Sequence, residues 1–267
     1  MINSPASRII IKLYFQYDAA GSFLFPPRCS GIWSITHEVA EITNKICFLI
    51  TAFSVTACAL HAVMLHTQFN SYLVTSALKC FLFLLCPLAY FRISGTGSLG
   101  ELVTGKANKQ QIKQSAIIAL LTIPIILLVF IILRSLLDPK MIADALSNVG
   151  ITGINYFFVF VYVVLINAGI EELFFRGFVF LCLYRAGCKK YAYLYSAFLF
   201  ALYHVSVIRS AVTPGLLLLA VVGLFFGGLV LNLLAKRCDS ILGSLVVHIC
   251  INLAINTIGV YYLYFAV

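Results

Sequence analysis

Seven stretches of about twenty apolar residues follow one another along the chain, and they constrain its fold more than any other feature. Each stretch is long enough to cross a hydrocarbon core of about 30 Å as a helix. Backbone groups in lipid must be hydrogen-bonded within their own segment, which favours helices. The stretches are continuously apolar rather than alternating, so a porin-like barrel is excluded. The sequence therefore predicts an all-α, polytopic bundle of transmembrane helices.

The predicted spans are residues 46–66, 72–91, 115–133, 154–184, 191–207, 214–235 and 240–263. The fourth span is too long for one ordinary crossing, so it must tilt strongly, protrude or break near Gly169, and a break would create an eighth span. Residues 1–45 contain three prolines that interrupt any long helix. We expect residues 1–45 to form a separate segment in the cytoplasm or along the membrane surface, followed by a membrane domain over residues 46–267.

The charge distribution tests this topology. The chain is 62% hydrophobic and 10% charged, against roughly 45–50% and 25% in soluble domains, and its net charge is +9. In a soluble protein that charge would suggest nucleic acid, but here the basic residues lie between the apolar stretches, so we expect no nucleic-acid partner. With the N-terminus inside, thirteen Lys and Arg residues lie on the cytoplasmic side and three on the other. This asymmetry agrees with the positive-inside rule, and splitting the fourth span would spoil it.

Two features concern the packing of the helices. Nine cysteines are scattered, mostly within apolar stretches, and form no C-x-x-C pair. We expect them to act as small apolar fillers, because a disulfide framework or a zinc site would need clustering.

In the sixth span, Gly223 and Gly227 have the small-xxx-small spacing that allows close approach of a neighbouring helix.

The fourth span carries three charged residues amid phenylalanines, Glu171, Glu172 and Arg176. Charged residues in a span are costly and usually face a cavity or a partner. Glu172 and Arg176 are four residues apart with the acid first, which favours an ion pair on one helix face, whereas Glu171 lies about 100° round the helix. Our hypothesis is that Arg176 holds Glu172 and that Glu171 remains free for chemistry. The trio alone would equally suit an electrostatic clamp between helices.

Two later spans carry further polar residues. His204 lies in the fifth span, where a lone histidine is more often a hydrogen-bonded packing residue. In the seventh span, Ser244, His248, Asn252 and Asn256 recur every four residues. A single such residue could simply join helices, but four in register favour a polar cavity. Counted from the cytoplasmic ends of their spans, Glu171, His204 and His248 lie at comparable depths, as one shared site requires.

These residue types together suit hydrolysis of an amide bond. A carboxylate removed from water suits general acid–base chemistry, so Glu171 and His204 could deprotonate a water molecule. His248 and Asn252 could donate hydrogen bonds to the oxyanion of a tetrahedral intermediate. We therefore predict Glu171, His204, His248 and Asn252 as catalytic residues.

A metal site is the chemical alternative, because two histidines and a glutamate can bind zinc. The sequence lacks the H-E-x-x-H motif of zinc peptidases. We therefore expect no cofactor and no metal, with zinc as the less favoured possibility.

The ordered set of motifs resembles a known family. The pattern E-E-x-x-x-R, then F-x-x-x-H, then H-x-x-x-N occurs on three spans, and its residues are Glu171, Glu172, Arg176, Phe200, His204, His248 and Asn252. In this respect the chain resembles the CAAX protease and bacteriocin-processing family, glutamate-type intramembrane peptidases that include the type II CAAX prenyl endopeptidases. The resemblance covers about residues 150–262. It implies a peptidase core there, with Glu172 and Arg176 supporting the four catalytic residues.

The resemblance implies a peptidase and not a particular substrate. We expect the partners to be a membrane-associated peptide or protein substrate and the lipid bilayer, and the location to be the bacterial cytoplasmic membrane. We therefore predict an intramembrane endopeptidase. The second hypothesis is a non-catalytic bacteriocin self-immunity or membrane scaffold protein of the same family. The third is a small transporter that relays protons, which inverted repeats and paired broken helices would favour; neither is visible in the sequence.

Overall fold

The computed structural model describes residues 30–65, 67, 71–105 and 107–265. Over these residues the protein is all-α, with nine helices and no strand, as predicted. The helices are α1 (Ser30–Met64), α2 (Tyr72–Ser94), α3 (Leu99–Thr104), α4 (Lys109–Leu133), α5 (Pro139–Asn148), α6 (Tyr156–Arg185), α7 (Lys189–Ile208), α8 (Pro214–Cys238) and α9 (Leu242–Tyr264). Seven of them are long and apolar enough to cross a membrane, which confirms the predicted number of spans.

Helix α1 is longer than its predicted span. It begins at Ser30 and runs without interruption past residue 46, and its candidate membrane span begins at Ala40. Most of the predicted N-terminal segment, residues 1–29, lies outside the described residues.

Helix α6 is the long fourth span, and it is unbroken. It covers 30 residues, or about 45 Å at the ordinary α-helical rise, and Gly169 lies within it. Two stretches, Tyr162–Asn167 and Glu172–Leu181, have the wider π-helical turn. Such π-helical segments often occur at functional sites. The sequence allowed the fourth span to tilt, to protrude or to break near Gly169. The structure shows that the alternative of a break, and with it an eighth span, is wrong.

The helix ends follow ordinary capping chemistry. Ser71 accepts a hydrogen bond from the Val74 amide at the start of α2, and Asn108 and Gln111 form a capping box at the start of α4. Asp138 caps α5 through the amides of the first turn. These polar groups satisfy the free amides in the first turns of the three helices.

Helix α6 lies at the centre of the bundle. Every residue from Glu171 to Leu183 is buried, whatever face of the helix it is on, which is the pattern of a helix surrounded by others. Phe83 of α2 stacks on Phe174 at 4.0 Å between ring centroids and meets Phe175 edge-on at 5.5 Å. This aromatic packing fixes α2 against the part of α6 that carries the two glutamates.

Helix α4 has the opposite environment. Within its most apolar stretch of 18 residues, only 6% of the residues are buried in the protein. Most of its side chains therefore face the surroundings. Its leucines and isoleucines are suited to contact with acyl chains, and α4 packs chiefly on α9.

The cysteines do not all act as fillers. Cys47 of α1 and Cys188, in the turn between α6 and α7, form a disulfide, so the prediction is wrong for this pair. The two residues are 141 positions apart, and only the packing of α1 against the α6–α7 turn brings them together. Six other described cysteines are free, at positions 58, 80, 86, 182, 238 and 250, and Cys29 lies outside the described residues.

The close helix approach predicted at Gly223 and Gly227 occurs instead at Gly228. A Cβ atom at Gly228 would lie 3.1 Å from the Cα of Ala197 in α7, whereas no described atom lies within 4 Å of a Cβ placed at Gly223 or Gly227. The backbones of α7 and α8 therefore meet at Gly228.

We predict that Gly228→Ala destabilises the protein while the matched variant Gly227→Ala does not. The added methyl at residue 228 meets backbone and costs about 1–3 kcal/mol, whereas at residue 227 it gains helix propensity, about 1 kcal/mol at most. Detergent-solubilised variants are compared by their thermal unfolding midpoints. Equal midpoints for the two variants would contradict the assignment of the contact to Gly228.

Candidate active site

The two adjacent glutamates of α6 are both buried and point to different neighbours. Glu171 is 3% exposed and Glu172 is completely buried. Consecutive helical residues project about 100° apart, so Glu171 faces α2, α7 and α9, while Glu172 faces α9 and its own helix. A buried carboxylate needs compensating partners, and the two glutamates share only His248 among theirs.

The partners of Glu172 are Arg176 and His248. Its Oε1 lies 3.2 Å from Arg176 Nη1 and 2.8 Å from His248 Nδ1. The Arg176 guanidinium is also completely buried, and it lies 4.0 Å above the centroid of the Phe200 ring, a cation–π arrangement. The structure thus places Arg176 against Glu172, as their spacing predicts.

The two oxygens of Glu171 have different neighbours. Oε1 accepts hydrogen bonds from Asn167 Nδ2 at 3.1 Å and from the Tyr203 hydroxyl at 3.2 Å, and Lys79 Nζ donates to it at 3.4 Å. Oε2 faces two imidazoles, with His204 Nε2 at 3.9 Å and His248 Nε2 at 3.8 Å. One carboxylate oxygen is therefore anchored, and the other is directed at the two histidines predicted to join it.

Both histidines are held through Nδ1, and both therefore present Nε2. In His204, Nδ1 lies 2.8 Å from the Phe200 carbonyl oxygen, and in His248, Nδ1 lies 2.8 Å from Glu172 Oε1. A carbonyl oxygen and a carboxylate oxygen are acceptors, so each Nδ1 carries the proton. In the neutral ring Nε2 is then a free base, and in both residues it is turned toward Glu171.

Asn252 has a different environment from its predicted neighbours. Its side-chain Nδ2 donates to the Val163 carbonyl at 3.0 Å, within the first π-helical stretch of α6, and its backbone carbonyl accepts from Asn256 Nδ2 at 2.8 Å. Ser244 donates to the Ile241 carbonyl. Of the predicted polar stripe on α9, His248 and Ser244 lie beside Glu172, while Asn252 joins α9 to α6.

Sequence reasoning did not assign three residues that contact Glu171, namely Lys79, Asn167 and Tyr203. Asn167 is four residues before Glu171, a spacing that could have revealed it, and Tyr203 directly precedes His204. Lys79 lies on α2, and a lysine within a span is a signal of function even without a visible partner. His61 of α1 is buried and packs on the Tyr203 ring, at 5.3 Å between centroids.

Among the described residues, no group of three or more His, Cys, Asp and Glu side chains has an arrangement that could hold a metal ion.

The seven long apolar helices define the class of the protein, an integral, multi-pass membrane protein. The model of the Rce1-like family, described as type II CAAX prenyl endopeptidase Rce1-like, matches residues 153–254. This match confirms the resemblance predicted from the motifs. It spans less than half of the chain and includes Glu171, Glu172, Arg176, His204, His248 and Asn252. No curated protein and no solved structure gives a significant match to the chain.

We predict that Arg176→Leu destabilises the protein far more than Arg185→Gln, although both arginines belong to α6 ion pairs. Loss of Arg176 leaves Glu172 as an uncompensated buried charge, at a cost of about 3–5 kcal/mol. Arg185 pairs with Asp239 at 2.8 Å near the surface, with side chains 25% and 42% exposed, so its loss costs about 1 kcal/mol or less. Unfolding by titration with sodium dodecyl sulfate measures both losses. Equal losses would show that Glu172 does not depend on Arg176.

Proposed function

We propose that the protein is an intramembrane endopeptidase that hydrolyses a peptide bond of a membrane-associated peptide or protein with an activated water molecule. The observation that carries the proposal is the convergence of Glu171 Oε2 with the Nε2 atoms of His204 and His248, at 3.9 and 3.8 Å, in a buried site. These distances exceed a direct hydrogen bond and suit a bridging water. The match to an endopeptidase family over the same residues supports the proposal.

The proposed reaction begins with water held between Glu171 and His204. Glu171 accepts a proton from the water while the water oxygen attacks the carbonyl carbon of the peptide bond, and a tetrahedral intermediate forms. The proton then passes to the leaving nitrogen, and the carbon–nitrogen bond breaks. No covalent acyl-enzyme is required, because water itself is the nucleophile.

His248 and Asn252 stabilise the oxyanion in this proposal. The Nδ1 proton of His248 is held by Glu172, so Nε2 donates a hydrogen bond only when the ring is an imidazolium. An asparagine amide has two donor hydrogens. One of those of Asn252 is directed to Val163, and the second would serve the oxyanion.

The proposal extends to location. We place the protein in a bacterial cytoplasmic membrane with its N-terminus inside, because the basic residues between the spans are concentrated on that side. We also propose that the reaction is independent of metal ions and that the only partners required are the substrate and the bilayer.

The central prediction is that Glu171→Gln abolishes cleavage and leaves the folded protein in the membrane. Glutamine has nearly the same shape but cannot accept the proton from water, so a loss of about 10²-fold or more is expected. The probes are a farnesylated peptide with a CAAX terminus and the membrane peptides of cells expressing each variant, compared by mass spectrometry. Glu101→Gln, at an exposed position on α3, is the matched control and should cleave as the wild type does.

Two outcomes would count against the peptidase. Membrane peptides that are the same in cells with wild type and Glu171→Gln would refute the assignment of Glu171. Full protection against a bacteriocin by the Gln variant would instead support the non-catalytic immunity function.

Metal dependence has its own test. We expect cleavage by the purified wild type to be unchanged after prolonged treatment with a chelator such as 1,10-phenanthroline. Loss of cleavage that added zinc restores would establish the zinc mechanism in place of the proposed one. Thermal unfolding of the treated protein shows whether any loss comes from unfolding instead.

A further inference from the structure

The centre of the bundle contains two acids and two cations. Glu171, Glu172, Arg176 and Lys79 are each at most 7% exposed. Buried charges are stable only when they are paired. Of these four residues, both acids and Arg176 belong to the segment that matches the family model. Lys79 belongs to α2, outside that segment.

Arg176 does not serve Glu171 as its counter-ion. Its Nη1 lies 3.2 Å from Glu172 Oε1, and its guanidinium covers the Phe200 ring. Neither of these two contacts involves Glu171. Glu171 therefore needs a cation of its own.

Lys79 has the geometry of that cation. Its Nζ lies 3.4 Å from Glu171 Oε1 and donates a hydrogen bond to the side-chain oxygen of Asn167. Asn167 in turn donates from Nδ2 to the same Oε1 at 3.1 Å. The three side chains form a closed triangle, in which a cation and an amide hold one oxygen of the carboxylate.

We propose that Lys79 is the positioning residue of Glu171: together with Asn167 it fixes Oε1 and so directs Oε2 at His204 and His248. The inference rests on the proposed function, in which Glu171 activates water. Lys79 itself does not touch the reacting atoms. It keeps Glu171 ionised as a base and oriented toward the imidazoles, and the first two helices of the bundle become part of the active site through it.

The ion pair is tested first, without any substrate, by a double-mutant cycle on Lys79→Met and Glu171→Gln. Each single variant leaves the remaining side chain without its counter-ion, so that it is either an unpaired buried charge or must change its protonation, and each variant should lower the unfolding midpoint in detergent. The double variant removes both charges, and its midpoint should fall by less than the sum of the two single shifts. Additive shifts would show that the two side chains are not coupled and would overturn the proposal.

The effect on catalysis is tested with a synthetic copy of a membrane peptide that wild type cleaves. For Lys79→Met we expect kcat to fall by about 10²–10⁴-fold, because the unpaired carboxyl takes up a proton and no longer acts as a base. KM should change little, since the proposed role of Lys79 is to hold Glu171 and not to bind substrate. Lys79→Arg, which keeps the charge, should recover part of the lost kcat.

Thr75→Val is the matched control for packing. Thr75 is buried on α2 one turn before Lys79, and its hydroxyl donates within its own helix, to the Ser71 and Tyr72 carbonyls. This variant should keep the wild-type kcat. A wild-type kcat in Lys79→Met, with Glu171→Gln inactive, would overturn the role of Lys79 alone, whereas activity in Glu171→Gln would overturn the proposed function.

Discussion

The burial of two adjacent carboxylates in an apolar bundle is the constraint on which the rest of the structure depends. Each ionised carboxylate removed from water costs several kcal/mol unless it is paired and hydrogen-bonded. Glu172 is compensated by Arg176 and His248, and Glu171 by Lys79, Asn167 and Tyr203. These partners come from α2, α6, α7 and α9. The pairing and hydrogen bonding of two carboxylates therefore determine how these four helices are positioned around the site.

The shape of α6 suits this arrangement. It is buried on all sides near the glutamates, and its two π-helical stretches flank Glu171. One of these stretches contains Val163, whose carbonyl oxygen accepts a hydrogen bond from Asn252 of α9. A backbone acceptor in an apolar bundle is thus used to hold α9, where water would satisfy it in a soluble protein.

The sequence was most informative where physics imposes a length or a pattern. Hydropathy reveals the seven spans because a helix must cross the hydrocarbon, and the costly acids and histidines stand out against apolar neighbours. The sequence does not predict contacts between distant segments. Lys79 lies 92 residues before Glu171, and Cys47 lies 141 before Cys188, so no spacing links either pair. The start of α1 at Ser30 was also missed, because a helix that extends beyond the apolar stretch loses the hydropathy signal.

The two glutamates differ in what they can do because His248 stands between them. The hydrogen bond between its Nδ1 and Glu172 Oε1 fixes the orientation of the ring. In this orientation Nε2 lies 3.8 Å from Glu171 Oε2. Carboxylates commonly orient a histidine from its far nitrogen in metal sites and catalytic triads. A pair of acids at consecutive positions suits this division, because they project about 100° apart. One of them can hold the imidazole while the other faces its free nitrogen, which an i,i+4 pair on one helix face could not do.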